Sequence, residues 1–171
     1  MLYLVLISLG IYIIYNIASI CKYRDLPECL SATHYLWNSN WIFPIVMIVI
    51  SGLLLPVWLE LLEGSNFQFL AFVTCASIIF IGFTPDYKNN KSECKIHIIC
   101  TYIASLASIA AISIVMGYLD ILVTYIIVTF ITSIVIDGYK VLKEIWLYLV
   151  ELILFLTVYS SILIELLNGK Y

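Results

Sequence analysis

Six stretches of the chain, residues 2–21, 41–59, 67–83, 96–117, 121–136 and 145–164, are almost unbroken apolar runs, and the charged residues collect in the gaps between them. A helix needs about 20 residues to cross a hydrocarbon core of about 30 Å, so each run predicts a membrane-spanning helix. The third and fifth runs are short, at 17 and 16 residues. They are expected to stand close to the membrane normal or to borrow polar residues at their ends.

The basic residues orient this pattern. Lys22 and Arg24, then Lys88, Lys91 and Lys95, then Lys140 and Lys143 occupy alternate gaps, and only Lys170 departs. Loops on the cytoplasmic side carry an excess of Lys and Arg, so the pattern predicts an all-α polytopic bundle of six spans with both termini outside. Composition agrees, because 64% hydrophobic and 11% charged residues would leave a soluble domain without a solvated surface. Six spans use up nearly all of the 171 residues, so residues 1–171 read as one membrane domain. The first run has no basic start and no small-x-small cleavage site, and is expected to be a span rather than a removed signal.

Within the runs, Pro44, Gly52 and Pro56 mark the second span, and Pro56 predicts a kink, for packing or as a hinge. Ala104, Ser105, Ala107, Ser108, Ala110, Ala111 and Ser113 put small residues on more than one face of the fourth, which predicts close packing and a central position. Tyr23, Tyr35, Trp37, Trp41, Trp58, Trp146 and Tyr148 stand near span ends, where an interfacial aromatic belt is expected. The loops of size, 22–40, 84–95 and 137–144, all fall on the inner side. Their mixed charges argue against a nucleic-acid partner. The odd count of five cysteines and the absence of Cys-x-x-Cys fit reduced thiols and give no thiolate metal signature.

Candidate chemistry lies at that inner side. Glu93 and His97 are four residues apart and share a helical face, either as a local pair or as part of a general-base or metal site. His34, Asp86 and His97 are the candidate metal ligands, with zinc the ion such a set would take. Glu151 is a charge well inside the sixth run, and such residues turn toward a bundle interior or a water-filled cavity. Glu144, seven residues earlier, would extend a polar stripe inward, with Asp137 nearby. Residues 27–37 alternate polar and apolar positions and predict a short interfacial or re-entrant helix after Pro27.

Leu30-Ser31-Ala32-Thr33-His34-Tyr35-Leu36-Trp37, Trp41-Ile42-Phe43, Phe69-Leu70-Ala71-Phe72, Gly82-Phe83-Thr84-Pro85-Asp86-Tyr87-Lys88 and Glu93-x-x-x-His97 together resemble a family of small bacterial and prophage-encoded multi-span membrane proteins without an assigned activity. That resemblance covers about the first two-thirds of the chain and implies a bacterial inner-membrane fold. A more distant similarity is to alkaline-ceramidase and adiponectin-receptor-like membrane hydrolases, in which Ser31, Asp86 and His97 would stand for the Ser, Asp and first zinc-binding His. Six expected spans instead of seven, and no His-x-x-x-His after residue 97, are departures from that group.

Three functions are compatible with these features. One is a non-catalytic bundle that binds or modulates another membrane component, whether lipid, a membrane-protein partner or a second copy. Another is a metal-dependent lipid hydrolase at the cytoplasmic side, with Ser31, Asp86, Glu93, His97 and Glu151 as candidate catalytic residues. The third is a small proton or cation transporter using Glu151. No phosphate-binding glycine loop, dinucleotide fingerprint or nucleophile elbow is present.

Overall fold

The computed structural model describes residues 1–37, 39, 41–115, 117, 124, 128 and 140–168, and the side chains of residues 115 and 140–144 are not among the described features. The expected fifth span, apart from Thr124 and Val128, lies outside these residues, as do Asp137 and the side chain of Glu144.

Every regular element described is helical: α1 (Leu2–Tyr23), a 3-10 turn (Ser31–Leu36), α2 (Ile42–Leu61), α3 (Phe69–Phe83), α4 (Lys91–Ala110) continuing through a π-helical stretch (Ala111–Val115), and α5 (Lys140–Leu167). Among the described residues four segments are long and apolar enough to cross a membrane: Leu2–Tyr23, Ile42–Leu61, Lys91–Ile114 and Ile145–Leu167. The 15 residues of α3 rise only about 22 Å at 1.5 Å per residue.

Local chemistry sets the helix ends. α1 stops at Arg24, whose left-handed conformation (φ 61°) turns its N–H back onto the Ile20 carbonyl. α4 starts five residues earlier than the apolar run, because the Asn90 side chain accepts from the N–H groups of Ser92 and Glu93 and caps the helix there.

Side-chain pairings give the directions of the helices. Ser8 pairs with Tyr159 and Asn16 with Tyr148, so α1 and α5 are antiparallel. Ser51 reaches the Cys75 carbonyl, and a Cβ on Gly82 would meet Pro44 and Met47, so α2 and α3 are antiparallel too. Thr84 meets His97 where α3 turns into α4. The start of α1 and the end of α5 therefore lie at one end of the bundle, and the 22–41 and 84–90 segments lie at the other.

Two expectations are corrected. Among the described residues α2 packs between α1 and α3, and α3 between α2 and α4, while Ile99, Tyr102 and Leu106 of α4 are exposed. Small residues let α4 approach α3 closely without placing it in the middle. Trp58 and Tyr148 do not belong to an interfacial belt, since each is 1% exposed. Tyr148 is held inside by its hydroxyl donating to Asn16 Oδ1 at 2.7 Å. Tyr23 and Trp41 do stand exposed at helix ends.

Candidate functional site

α1 turns a polar stripe, not an apolar one, toward its neighbours: Ser8, Tyr12, Tyr15, Asn16 and Ser19 are its buried residues together with Val5. In lipid an exposed hydroxyl or amide has no partner, so these groups face inward; all but the unpartnered Tyr12 hydroxyl bond to α5 or to the 30–37 segment. Ser8 and Tyr159 share a hydrogen bond of 2.6 Å, Tyr12 stacks on Phe155 at 4.7 Å, and Trp37 Nε1 donates to Ser19. Tyr15 donates to Thr33 Oγ1, which donates in turn to the Leu30 carbonyl.

These bonds fasten the segment before and within the 3-10 turn against α1 and α5. On the α5 side the Tyr148 N–H donates to the Glu28 carbonyl at 3.1 Å, and the Leu30 N–H donates to Glu151 Oε2 at 2.6 Å. Glu151 sits six residues after Ile145, about 9 Å along the helix. Residues 28–30 thus form a strap across the N-terminal part of α5, and a half-buried carboxylate holds it.

Beside the strap, α2, α3, α4 and α5 surround an open cavity. Phe43, Met47, Leu54, Trp58, Ile78, Ile81, Leu154, Phe155 and Val158 supply most of its wall. Its hydroxyl-bearing residues on α4 are turned onto their own helix: Thr101 donates to the His97 carbonyl, Ser105 to Thr101 and Ser108 to Ser105. What they show the cavity is carbon. Ser31, His97 and Glu151 bring polarity to one end of it.

His97 does not pair with Glu93. Its Nδ1 lies 3.1 Å from both the carbonyl and the hydroxyl of Thr84. Thr84 spends its own proton on the Phe80 carbonyl, so Nδ1 carries the hydrogen and Nε2 is left as an acceptor. Glu93 is engaged at the other side of the turn, accepting from the Asp86 N–H at 3.2 Å and from Asn90 Nδ2 at 3.0 Å. The backbone carbonyl at the end of α3 takes the bond that i, i+4 spacing suggested for the carboxylate. Tyr87 stacks on the imidazole at 4.6 Å and shares a 3.1 Å hydrogen bond with Cys29 Sγ, and burial raises its hydroxyl above the ordinary tyrosine range. Cys29 in turn lies 3.3 Å from Ser31 Oγ.

His34, a second candidate, is buried against Phe43 and Tyr35, and its Nδ1 has no partner. Asp86 accepts from Asn89 at the surface. Among the described residues no three of His, Cys, Asp and Glu gather closely enough to hold a metal ion, so His34, Asp86 and His97 do not form a ligand set. Sequence reasoning missed Glu165, which is 2% exposed near the end of α5, because the apolar run ends at 164. It also missed the strap, whose bonds join residues 121 positions apart.

Burial lowers the His34 pKa from its ordinary 6.5, and the carboxylates of Asp86 and Glu93 only partly oppose this. The unfolded chain therefore binds the proton more readily than the folded one. Stability is full above about 6.5 and falls as pH drops below it, until the folded imidazole also protonates. Thermal melts followed by tryptophan fluorescence should show this acid loss, and His34→Gln should flatten it. An unchanged slope in the variant would assign the loss to other groups.

Among the described residues the chain is thus an all-helical bundle with four helices long and apolar enough to cross a membrane. Compared with protein-family models, with curated proteins and with solved structures, it finds no match.

Proposed function

We propose that this protein is a six-span inner-membrane bundle of a bacterium, both termini outside, that binds a membrane lipid in the cavity between α2, α3, α4 and α5. Supporting the orientation, Lys88 Nζ pairs with Glu28 at 2.8 Å and Tyr148 bonds the Glu28 carbonyl, so three basic segments meet at one end of the bundle. The observation that carries the lipid reading is the cavity itself: a mostly apolar wall, with Ser31, His97 and Glu151 toward one end and the α4 hydroxyls turned back onto their own helix. The reading is non-catalytic, and it agrees with the resemblance to small multi-span membrane proteins without an assigned activity.

Ala104 lines the cavity and is 9% exposed. Ala104→Phe should fill part of the space and expel the ligand. Protein extracted in polymer-bounded native bilayer discs, transferred to detergent and washed, should retain about one lipid per chain by native mass spectrometry. The variant should retain none, while eluting from size exclusion as the native chain does. Equal retention in the two would sink the reading.

A further inference from the structure

The two ends of the cavity differ enough to define what fits. From His97 to Ser108, both in its wall, α4 advances eleven residues, or about 16 Å. A bilayer core of about 30 Å is two leaflets deep, so a single acyl chain spans about 15 Å of it. The wall therefore matches one extended chain of one leaflet.

At the polar end the groups on offer are acceptors. Glu151 Oε2 takes the Leu30 N–H, and that is the one hydrogen bond to this carboxylate recorded among the described residues, which leaves Oε1 for a ligand. Lys88, which reaches the strap, is committed to Glu28. His97 is tied back through Nδ1, so the free edge of its ring also accepts. The Ser31 hydroxyl, next to Cys29 and Tyr87, can serve either way. A phosphate or carboxylate head would bring acceptors to acceptors and negative charge to Glu151, with no cation beside it among the described residues. An ammonium or hydroxyl head supplies the missing protons and, when charged, a charge-assisted bond.

Resting on the lipid-binding reading above, we infer that the ligand is a single-chain lipid whose head is not anionic and donates hydrogen bonds, held by Glu151, with His97 and Ser31 at its sides. The class is set by donor chemistry, so amine- and hydroxyl-headed lipids both belong to it.

Trp58 in the cavity wall provides the readout, since bromine on a bound chain quenches an indole that it touches. Three probes of one chain length, brominated at the same carbons, would be compared on the protein in lipid nanodiscs: a primary alkylamine, an alkyltrimethylammonium and a fatty acid. A Trp58→Phe protein subtracts the quenching of Trp37, Trp41 and Trp146. The expected order of affinity is amine, then trimethylammonium, then fatty acid, with amine over acid by about tenfold or more, as bonds to a charged group provide. In Glu151→Gln the amine should weaken about tenfold and its lead over the acid should shrink.

A fatty acid that quenches Trp58 as well as the amine does would overturn the head-group assignment and leave the lipid cavity standing. Equal amine and trimethylammonium binding would overturn hydrogen-bond donation as the basis of selection. Quenching of Trp58 by none of the three would overturn the cavity reading and this inference together. The probe series on the native protein decides these points even if the Glu151 variant does not fold.

Discussion

Gly82→Leu is expected to unfold the bundle at a clearly lower temperature than the native chain, with a loss of about 1–3 kcal/mol, the usual range for overpacking. A Cβ at position 82 would lie 3.0 Å from the Met47 Cβ and 3.4 Å from the Pro44 Cα and carbonyl oxygen. The nearest obstacles are the root of one side chain and a backbone, so no rotamer change relieves them. The α2–α3 contact would have to open where the start of α2 meets the end of α3. That contact also carries the bond from Ser51 Oγ to the Cys75 carbonyl at 2.7 Å, and in lipid such close packing replaces the hydrophobic drive that water supplies to soluble folds. Gly52→Leu is the matching control, because nothing lies within 4 Å of its would-be Cβ. Thermal unfolding in the same detergent, read by tryptophan fluorescence, should separate the two. A Gly82→Leu melt no lower than that of Gly52→Leu would show that α2 and α3 do not approach so closely.

The position of Gly82 illustrates what could be read before the structure. Hydropathy placed α1, α2 and α3 within about two residues, because a lipid-crossing helix is defined by the absence of charge over a length. It placed the starts of α4 and α5 five residues late, since both begin in polar sequence that only a cap or a neighbour makes helical. Glu151 was legible as an inward-facing residue because a carboxylate inside an apolar run has few other options. Its partner was not legible: a backbone N–H carries no sequence mark, and residue 30 lies 121 positions away. Glu93 and His97 show the opposite failure, where helical spacing suggested a pair and the Thr84 carbonyl, supplied by the preceding helix, took the imidazole instead. Trp58 and Tyr148 fell near span ends on paper, yet the packing of α2 and α5 buries both.

Leu30→Pro should detach the strap from α5 and cost more than an ordinary loop substitution. The backbone at Leu30 has φ −58°, within the range that a proline ring imposes, so the change is tolerated by this residue's own conformation. What proline cannot supply is the N–H that Glu151 Oε2 accepts at 2.6 Å. A fully buried acceptor left unpaired costs about 1–3 kcal/mol, and the half-buried Glu151 should lose up to about that much. The variant also loses part of a side chain that is 5% exposed. Leu30→Val keeps the N–H and loses a comparable amount of packing, so the difference between the two variants isolates the bond. Leu30→Pro should melt well below Leu30→Val, and adding Glu151→Leu to it should recover part of the loss, because an apolar residue there needs no donor. If the double variant is no more stable than Leu30→Pro alone, the strap is held by Tyr15, Thr33 and Tyr148 and not by the carboxylate. Recovery would instead mean that Glu151 is costly to keep satisfied at the mouth of an apolar cavity, which is the expected signature of a residue retained for its ligand.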